Sequence, residues 1–112
     1  PFIFQNLSFR IAAGEHVAIG GPSGCGKTTL LKILVGLVQP TGGAVLIDGV
    51  PLSTIGPHAF REQIGVVMQD DQLLSGSIAD NICCFDEASD SSHMRDCAER
   101  AGIDGEIMRM PI

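Results

Sequence analysis

One eight-residue segment constrains this 112-residue chain more than any other, Gly-Pro-Ser-Gly-Cys-Gly-Lys-Thr at positions 21–28. It matches the pattern G-x-x-x-x-G-K-[ST] at every fixed position. The glycines let the backbone curl so that several N–H groups point at one anion, and the free N–H groups of a following helix point at the same anion. Lys27 would place a positive charge on the β- and γ-phosphates of a nucleotide, and the Thr28 hydroxyl would bind Mg²⁺. The segment therefore predicts a phosphate-binding loop between a strand and a helix.

The residues around this loop predict an α/β fold. The apolar run His16–Ile19 predicts a buried strand before the loop. Lys27–Leu37 carries apolar residues on most faces and predicts a largely buried helix that ends before Pro40. The same patterns predict further strands at residues 4–11, 44–48 and 64–68, and short helices at residues 57–63, from Ser77, and from a Ser91-Ser92 cap to about Ala101, with Gly102 ending the last.

The charge balance argues against a nucleic-acid-binding protein. The chain has 13 Asp and Glu residues against 7 Lys and Arg, and its formal net charge is −6. A nucleic-acid binder needs a basic surface that displaces counterions from phosphates, and aromatic side chains on which bases can stack. The five aromatic residues are all Phe, and the arginines are scattered. We therefore expect no nucleic-acid partner.

The sequence contains no membrane-spanning or signal pattern. The longest apolar stretch, Leu30–Val38, is interrupted by Lys32 and is far shorter than the about 20 residues that a span needs. The chain starts at Pro1 inside an apolar pattern, without Met or a basic region, so we expect a soluble piece cut from a longer protein. Four cysteines in no framework favour a reducing compartment.

Asp48 has two interpretations. The apolar run Ala44–Asp48 ends in a carboxylate, as does the Mg²⁺-binding strand of many phosphate-loop enzymes, and would suit a kinase or another NTPase. Asp48-Gly49 is also a strong signal for a hairpin turn, which we favour. No Asn-Lys-x-Asp guanine-binding motif occurs, which argues against a GTPase.

Two further clusters have a chemical and a structural interpretation. Cys84, His93 and Cys97, with Cys83 adjacent, could hold a metal, but their spacing fits no common zinc pattern, so we favour unliganded thiols. The pairs Asp70-Asp71 and Asp86-Glu87 could perform acid–base chemistry, but neither lies in an apolar run that would raise a carboxyl pKa. Solvated loops are the better interpretation of both pairs.

Six segments together resemble the first half of the nucleotide-binding domain of ATP-binding cassette (ABC) transporters. The order and the spacing agree over nearly the whole chain: Leu7–Ile11, Gly14-Glu15, the phosphate loop, residues 40–49, Ile64–Gln69 and Leu73–Ile82. The stretch Gly-Ser-Ile-x-x-Asn-Ile at residues 76–82 is similar to the exporter type. With Met-Gln-Asp-Asp-Gln-Leu-Leu before it, it looks most like the peptidase-containing exporters of bacteriocins and toxins (colicin V type).

The resemblance implies a partial RecA-like P-loop NTPase domain with antiparallel β-subdomain strands. Residues 1–82 would hold the phosphate-loop core, the β-subdomain and the Q-loop, and residues 83–112 would start the helical subdomain. The strand ending at Asp48 would belong to the β-subdomain. The signature motif, the Walker B strand with its catalytic Glu, and the switch His are expected beyond Ile112. The adenine-stacking aromatic is expected before Pro1, and Phe2 and Phe4 look like strand residues instead.

The resemblance also implies ATP and Mg²⁺ as ligands. The phosphates would be held by Gly21, Pro22, Ser23, Gly24, Cys25, Gly26, Lys27, Thr28 and Thr29, with Thr29 reaching the α-phosphate. Thr28 and Gln69 would bind Mg²⁺, and Gln69 would also contact the attacking water. The full-length protein would couple ATP binding and hydrolysis to export of a peptide, bacteriocin or toxin, while this fragment would bind Mg-ATP without turnover. A structural fragment without function is the remaining alternative.

The resemblance implies protein partners as well. Residues 70–82 would face the transmembrane domain of the same transporter, and a second ATP-binding domain would complete a sandwich around two Mg-ATP. The full-length protein would then work at the cytoplasmic face of a bacterial inner membrane.

Overall fold

The structure, a computed structural model, describes residues 3–111 and divides into two units, Pro1–Val67 and Met68–Ile112. Phe2, considered above as a strand residue, lies outside the described residues. The first unit contains α1 (Lys27–Leu34), β1 (Leu46–Ile47), β2 (Val50–Pro51), α2 (Leu52–Ile55) and α3 (Pro57–Arg61). The second unit contains α4 (Ile78–Ile82), α5 (Ser91–Arg100) and α6 (Asp104–Ile107). Within residues 3–111, no helix has the length and apolar character needed to cross a bilayer.

Helix α1 follows the phosphate loop as predicted but ends earlier than Leu37. Gly36 adopts a left-handed φ of 79°. Its N–H donates to the Ile33 carbonyl over 3.1 Å, and the Leu37 N–H donates to the Lys32 carbonyl over 2.8 Å. These two bonds form a Schellman motif, which satisfies the last carbonyls of a helix and stops it. A glycine inside the apolar run therefore ends the helix although the hydrophobic pattern continues.

The predicted Asp48-Gly49 hairpin turn is confirmed. Strands β1 and β2 pair antiparallel, with Leu46 opposite Pro51 and Ile47 opposite Val50. The two residues between them have φ angles of 51° (Asp48) and 80° (Gly49). A type I′ turn needs positive φ at both central positions, and its twist matches that of the flanking strands. Asp48 is thus a turn residue, which does not favour the kinase interpretation.

The core of the first unit is small and lies between the end of α1 and the residues after the hairpin. Ile33 and Leu52 are its buried side chains. A Cβ placed on Gly36 would lie 3.4 Å from both Leu52 Cδ2 and Pro57 Cβ, so the chain packs closely here. The Arg61 Nη1 group donates to the Gly36 carbonyl over 3.2 Å and ties α3 to the end of α1. Helix α1 is therefore anchored at its C-terminal end.

Three of the predicted strands, at residues 4–11, 16–19 and 64–68, are wrong for this chain. None of these segments is a strand in the structure, and Val17 and Val67 are 49% and 93% exposed. The burial predicted for α1 was also too great, since Ile33 is its one buried residue. A strand forms only beside a partner, and parallel partners require a long crossover, whereas two residues suffice to close the β1–β2 hairpin. The predicted segments have no such neighbour, so the phosphate loop follows irregular backbone instead of a buried strand.

The apolar side chains without a strand partner line a groove in the first unit. The groove has a volume of about 1120 Å³ and lies among residues 4–13, α1 and the hairpin. Phe4, Phe9, Leu30 and Leu46 are among its lining residues. Side chains that the sequence pattern assigns to a core are therefore partly in contact with solvent here.

The helices of the second unit begin and end at capping residues. Helix α4 starts at Ser77, as predicted, and Asp80 lies in its first turn. Helix α5 is capped by Asp90, whose carboxylate accepts the Ser92 N–H over 3.1 Å, so the predicted Ser91-Ser92 cap was placed one or two residues too late. Asp accepts at this position as well as Ser does. Gly102 has a φ of 76° and follows the end of α5, as predicted.

We predict that Gly49→Ala destabilises the first unit by about 1–2 kcal/mol, because an L-residue at a left-handed φ is strained. A Cβ at Gly49 would meet no atom within 4 Å, so the effect would come from the backbone angle alone. Gly42→Ala is the matched control, since Gly42 is equally open and has no left-handed φ. Chemical denaturation measures both, and equal losses in the two variants would contradict the assignment of the turn.

Candidate phosphate-binding site

The phosphate loop turns into α1 at Gly26. Gly24 and Gly26 have φ angles of 80° and 101°, in the region that glycine adopts without strain. Gly26 is the N-cap of α1, and no side chain caps this end of the helix in the described structure. The first turn of α1 also contains no acidic residue. The helix therefore presents free N–H groups and the positive end of its dipole to the loop, which suits a phosphate.

The ammonium group of Lys27 lies against the loop that precedes it. Its Nζ donates to the carbonyl of Gly21 and, over 2.8 Å, to that of Pro22, and it lies 3.8 Å from the Cys25 Sγ. A bound phosphate would offer charged oxygens in place of these neutral carbonyls, and hydrogen bonds to charged groups are the stronger ones. The side chain is thus already placed at the loop where a phosphate charge is expected.

Two glycines of the loop are required by their neighbours. A Cβ on Gly21 would lie 2.8 Å from the Cys25 Sγ, so the thiol occupies the space that glycine leaves. A Cβ on Gly26 would lie 2.6 Å from Ile3 Cγ2 and 3.5 Å from Phe4 Cδ1. Ile3 and Phe4 therefore pack against the turn into α1, a contact that the sequence pattern did not reveal.

The two threonines predicted to contact the nucleotide lie in the first turn of α1. Thr28 is exposed and Thr29 is half-buried. An exposed hydroxyl beside the loop fits the role of a Mg²⁺ ligand, because Mg²⁺ keeps several waters and takes few protein oxygens. The loop residues 21–29 are thus brought together as the motif requires.

Gln69, the other residue predicted to bind Mg²⁺, belongs to the second unit. It lies in a short turn in which the Asp71 carboxylate accepts the Met68 N–H over 2.9 Å. The Asp86 carboxylate likewise accepts the Ala88 N–H over 2.9 Å. Both carboxylates are exposed and stabilise local turns, which agrees with solvated loops better than with acid–base catalysts.

Two residues of the possible metal cluster, His93 and Cys97, lie close together on α5. His93 Nε2 lies 3.8 Å from the Cys97 Sγ. Among residues 3–111, however, no three His, Cys, Asp or Glu side chains are grouped so that they could hold a metal ion. The four cysteines are unpaired, and Cys83 points its Sγ at the Asp80 carbonyl over 3.6 Å. The interpretation of these cysteines as thiols without a metal stays a prediction.

The segment before and within α4 is held by two sets of side-chain hydrogen bonds. Ser77 Oγ accepts the Asp80 N–H over 3.0 Å while the Asp80 carboxylate accepts the Ser77 N–H over 2.9 Å, which is a capping box. The Ser77 hydroxyl also donates to this carboxylate over 2.7 Å, and together these bonds lower the pKa of Asp80 below its usual 3.8. In the sequence, Asn81 stood out only as part of a family pattern. In the structure its side chain accepts the Leu74 N–H and donates to the Leu74 carbonyl.

Comparison with known proteins identifies the family to which the chain is similar. The sequence profile of the ABC transporter family matches residues 4–111. The chain is 50% identical over 110 residues to the colicin V secretion/processing ATP-binding protein of Escherichia coli. These residues make up 98% of the chain and 16% of that protein. It is 46% identical to the probable microcin-H47 secretion/processing ATP-binding protein of the same organism, with the same coverage. An ATP-dependent lipid A-core flippase of Burkholderia orbicola is 39% identical over 96% of the chain and 18% of its own length. The chain thus spans less than a fifth of these relatives.

We predict that Gly26→Ala weakens nucleotide binding by about tenfold or more, because both the left-handed φ and the contact with Ile3 oppose a side chain. Gly20→Ala is the control, because a Cβ at Gly20 would meet nothing within 4 Å and its φ is not left-handed. Titration with a fluorescent ATP analogue measures both affinities. Equal affinity in the two variants would contradict the role of Gly26.

The capping box of α4 predicts that the stability of this helix depends on pH. Because the folded pKa of Asp80 lies below its ordinary value of 3.8, its stabilisation is present above that value and is lost as the pH falls through the lowered pKa. In Ser77→Ala the Asp80 pKa should move back up towards 3.8, because the hydrogen bond from the Ser77 hydroxyl is the main cause of the lowered pKa. NMR titration of the carboxyl carbon measures this, with Ser75→Ala as the control. An unchanged midpoint in Ser77→Ala would contradict the assignment.

Proposed function

Because the chain belongs to the ABC transporter family, we propose that it is part of the ATP-binding domain of an exporter and binds Mg-ATP through residues 21–29. The observation that carries this proposal is the loop itself. Gly26 turns the backbone so that α1 presents uncapped N–H groups, and the Lys27 ammonium lies against the carbonyls of Gly21 and Pro22 in the same loop. Backbone N–H groups and one cation at a single point suit the phosphates of a nucleotide.

The proposed roles follow the family resemblance, and the Cys25 N–H, which donates to the Pro22 carbonyl over 3.3 Å in this structure, would have to turn to the phosphate. The N–H groups of Gly24, Cys25, Gly26 and Thr28 and the ammonium of Lys27 would hold the phosphates, and Thr29 would reach the α-phosphate. The Thr28 hydroxyl, together with Gln69, would hold Mg²⁺. When bound, the ion would neutralise the charge that develops on the β- and γ-phosphates. Gln69 would orient the attacking water.

We propose the same domain organisation that the resemblance implies. Residues 1–82 would form the RecA-like phosphate-loop core, the antiparallel β-subdomain and the Q-loop, and residues 83–112 would begin the helical subdomain. The β1–β2 hairpin supports an antiparallel subdomain in the first part. The short helices α5 and α6 support a helical second part.

For the full-length protein we propose an ATPase that couples ATP binding and hydrolysis to export across the bacterial inner membrane, on whose cytoplasmic face this domain would lie. The names of two relatives, which describe secretion of colicin V and of microcin H47, support a peptide, bacteriocin or toxin as cargo. Residues 70–82 would contact the transmembrane domain, and a second ATP-binding domain would complete the dimer. Apart from Gln69, the residues that the resemblance assigns to hydrolysis lie outside the matched segments, so this chain alone would bind Mg-ATP without turnover.

We predict that Lys27→Ala lowers the affinity for Mg-ATP by about tenfold or more, because a charge-assisted contact with phosphate is lost. Lys32→Ala is the matched control, since Lys32 lies in the last turn of the same helix. It should leave the affinity within about twofold, because an exposed charge one helix turn or more away is screened. Titration of a fluorescent ATP analogue in the presence of Mg²⁺ measures both.

Equal affinities in the Lys27→Ala and Lys32→Ala variants would contradict the proposed site. Asp48→Ala tests the alternative in which Asp48 binds the metal. Since Asp48 is a turn residue, we expect Mg²⁺-dependent binding to remain in this variant. Loss of that dependence would favour a kinase or another NTPase over the ABC assignment.

A further inference from the structure

We propose that Asn81 is a positioning residue, which fixes the backbone of residues 74–77 so that the exposed Leu73 and Leu74 are presented to the transmembrane part of the transporter in one shape. The proposal rests on the function proposed above for residues 70–82, hereafter the coupling segment. It adds to that function the side chain that gives the segment its conformation.

The amide group of Asn81 uses every hydrogen-bonding position except one acceptor lone pair. Its Oδ1 accepts the Leu74 N–H over 2.8 Å. Its Nδ2 donates to the Leu74 carbonyl over 3.0 Å and to the Ser77 carbonyl over 2.9 Å. Asn81 is half-buried as a residue, although the three hydrogen bonds lie at the surface. The side chain thus pairs with both polar groups of Leu74, as a neighbouring peptide group would in a sheet.

Few other side chains could make this pair of contacts. A carboxylate of the same size accepts hydrogen bonds but donates none, so Asp would place charge against the Leu74 and Ser77 carbonyls. Ser is shorter and offers one donor. The requirement for an acceptor and two donors at one fixed distance therefore selects Asn at residue 81.

Phe85 packs against the same turn at Gly76. Gly76 has a φ of 155°, and a Cβ there would lie 3.0 Å from Phe85 Cε1 and 3.1 Å from Asp80 Oδ2. Phe85 itself follows α4 with a left-handed φ of 61°, and its N–H donates to the Asp80 carbonyl over 2.8 Å. The turn is therefore in contact with Phe85 as well as with the Asn81 side chain.

The result is an irregular segment with a defined shape and an apolar surface. Leu73 and Leu74 are 87% and 64% exposed although Leu74 is bound at both of its backbone polar groups. Ordering a flexible segment on binding opposes association, and a segment that is already ordered avoids this. Two exposed leucines on a fixed backbone suit an apolar protein partner, and in an ABC transporter the transmembrane domain is the partner proposed for these residues.

The capping box offers a control for a merely structural role. Ser77 and Asp80 stabilise the start of α4 through their side chains. The Asn81 side chain does not contact the Ser77 side chain; at Ser77 it bonds the backbone carbonyl. Ser77→Ala therefore weakens α4 and leaves the Asn81 contacts with Leu74 in place. Asn81→Ala removes those contacts and leaves the capping box in place.

The first experiment measures backbone amide exchange by NMR in the full chain. In Asn81→Ala we expect the Leu74 amide to exchange about fivefold faster or more, while the Asp80 amide, which bonds to Ser77 Oγ, keeps its protection. In Ser77→Ala we expect the reverse. In Asn81→Asp the Leu74 amide keeps an acceptor, so its exchange should lie between the wild type and Asn81→Ala. Unchanged exchange of Leu74 in Asn81→Ala would overturn the proposal.

The second experiment measures ATP hydrolysis by the full-length transporter in liposomes. Asn81→Ala should lower kcat by about threefold or more and leave KM for Mg-ATP within about twofold, because the phosphate loop is untouched while its link to the partner is weakened. Ser77→Ala should change kcat less. Equal kcat values in wild type and Asn81→Ala, or an equal loss in Ser77→Ala, would overturn the proposal. Hydrolysis that does not depend on Lys27 would instead reject the proposed ATP site.

Discussion

The left-handed backbone at Gly26 is the constraint on which the candidate site depends. With a φ of 101°, this residue turns the chain directly from the loop into α1. The turn leaves the first N–H groups of the helix without a capping side chain and brings Lys27 back over the carbonyls of Gly21 and Pro22. Because a side chain at Gly26 would also collide with Ile3, one residue type satisfies both the backbone angle and the packing. The motif is thus a set of steric requirements before it is a set of chemical ones.

The elements that were predictable from the sequence are those whose hydrogen bonds join residues close together in the chain. The Asp48-Gly49 turn, the Ser77 cap and the helix after the phosphate loop each arise from a few adjacent residues, and each is present. The predicted strands at residues 4–11, 16–19 and 64–68 depend on distant partners, and hydrophobic pattern alone cannot supply a partner. The pattern correctly identified apolar segments, but in this chain those segments line a groove instead of pairing in a sheet.

The site was predictable to the extent that its residues are adjacent in the chain. Residues 21–29 form the loop that the motif describes, whereas the predicted partnership of Thr28 with Gln69 joins residues of two different units. The contacts of Ile3 with Gly26 and of Asn81 with Leu74 left no periodic signal, because they join side chains to irregular backbone. Such contacts follow from three-dimensional placement, and no spacing rule in the sequence encodes them.

The Schellman motif at Gly36 has a consequence for synthesis on the ribosome. Together with Gly26 it sets both ends of α1 by hydrogen bonds between residues at most five positions apart. A helix forms within about a microsecond, whereas translation adds roughly 5–20 residues per second. The turn that ends α1 can therefore form transiently once Leu37 has emerged from the ribosome, and the later contact of Arg61 with Gly36 would then hold it. The end of α1 would thus be set by local bonds first and by packing second.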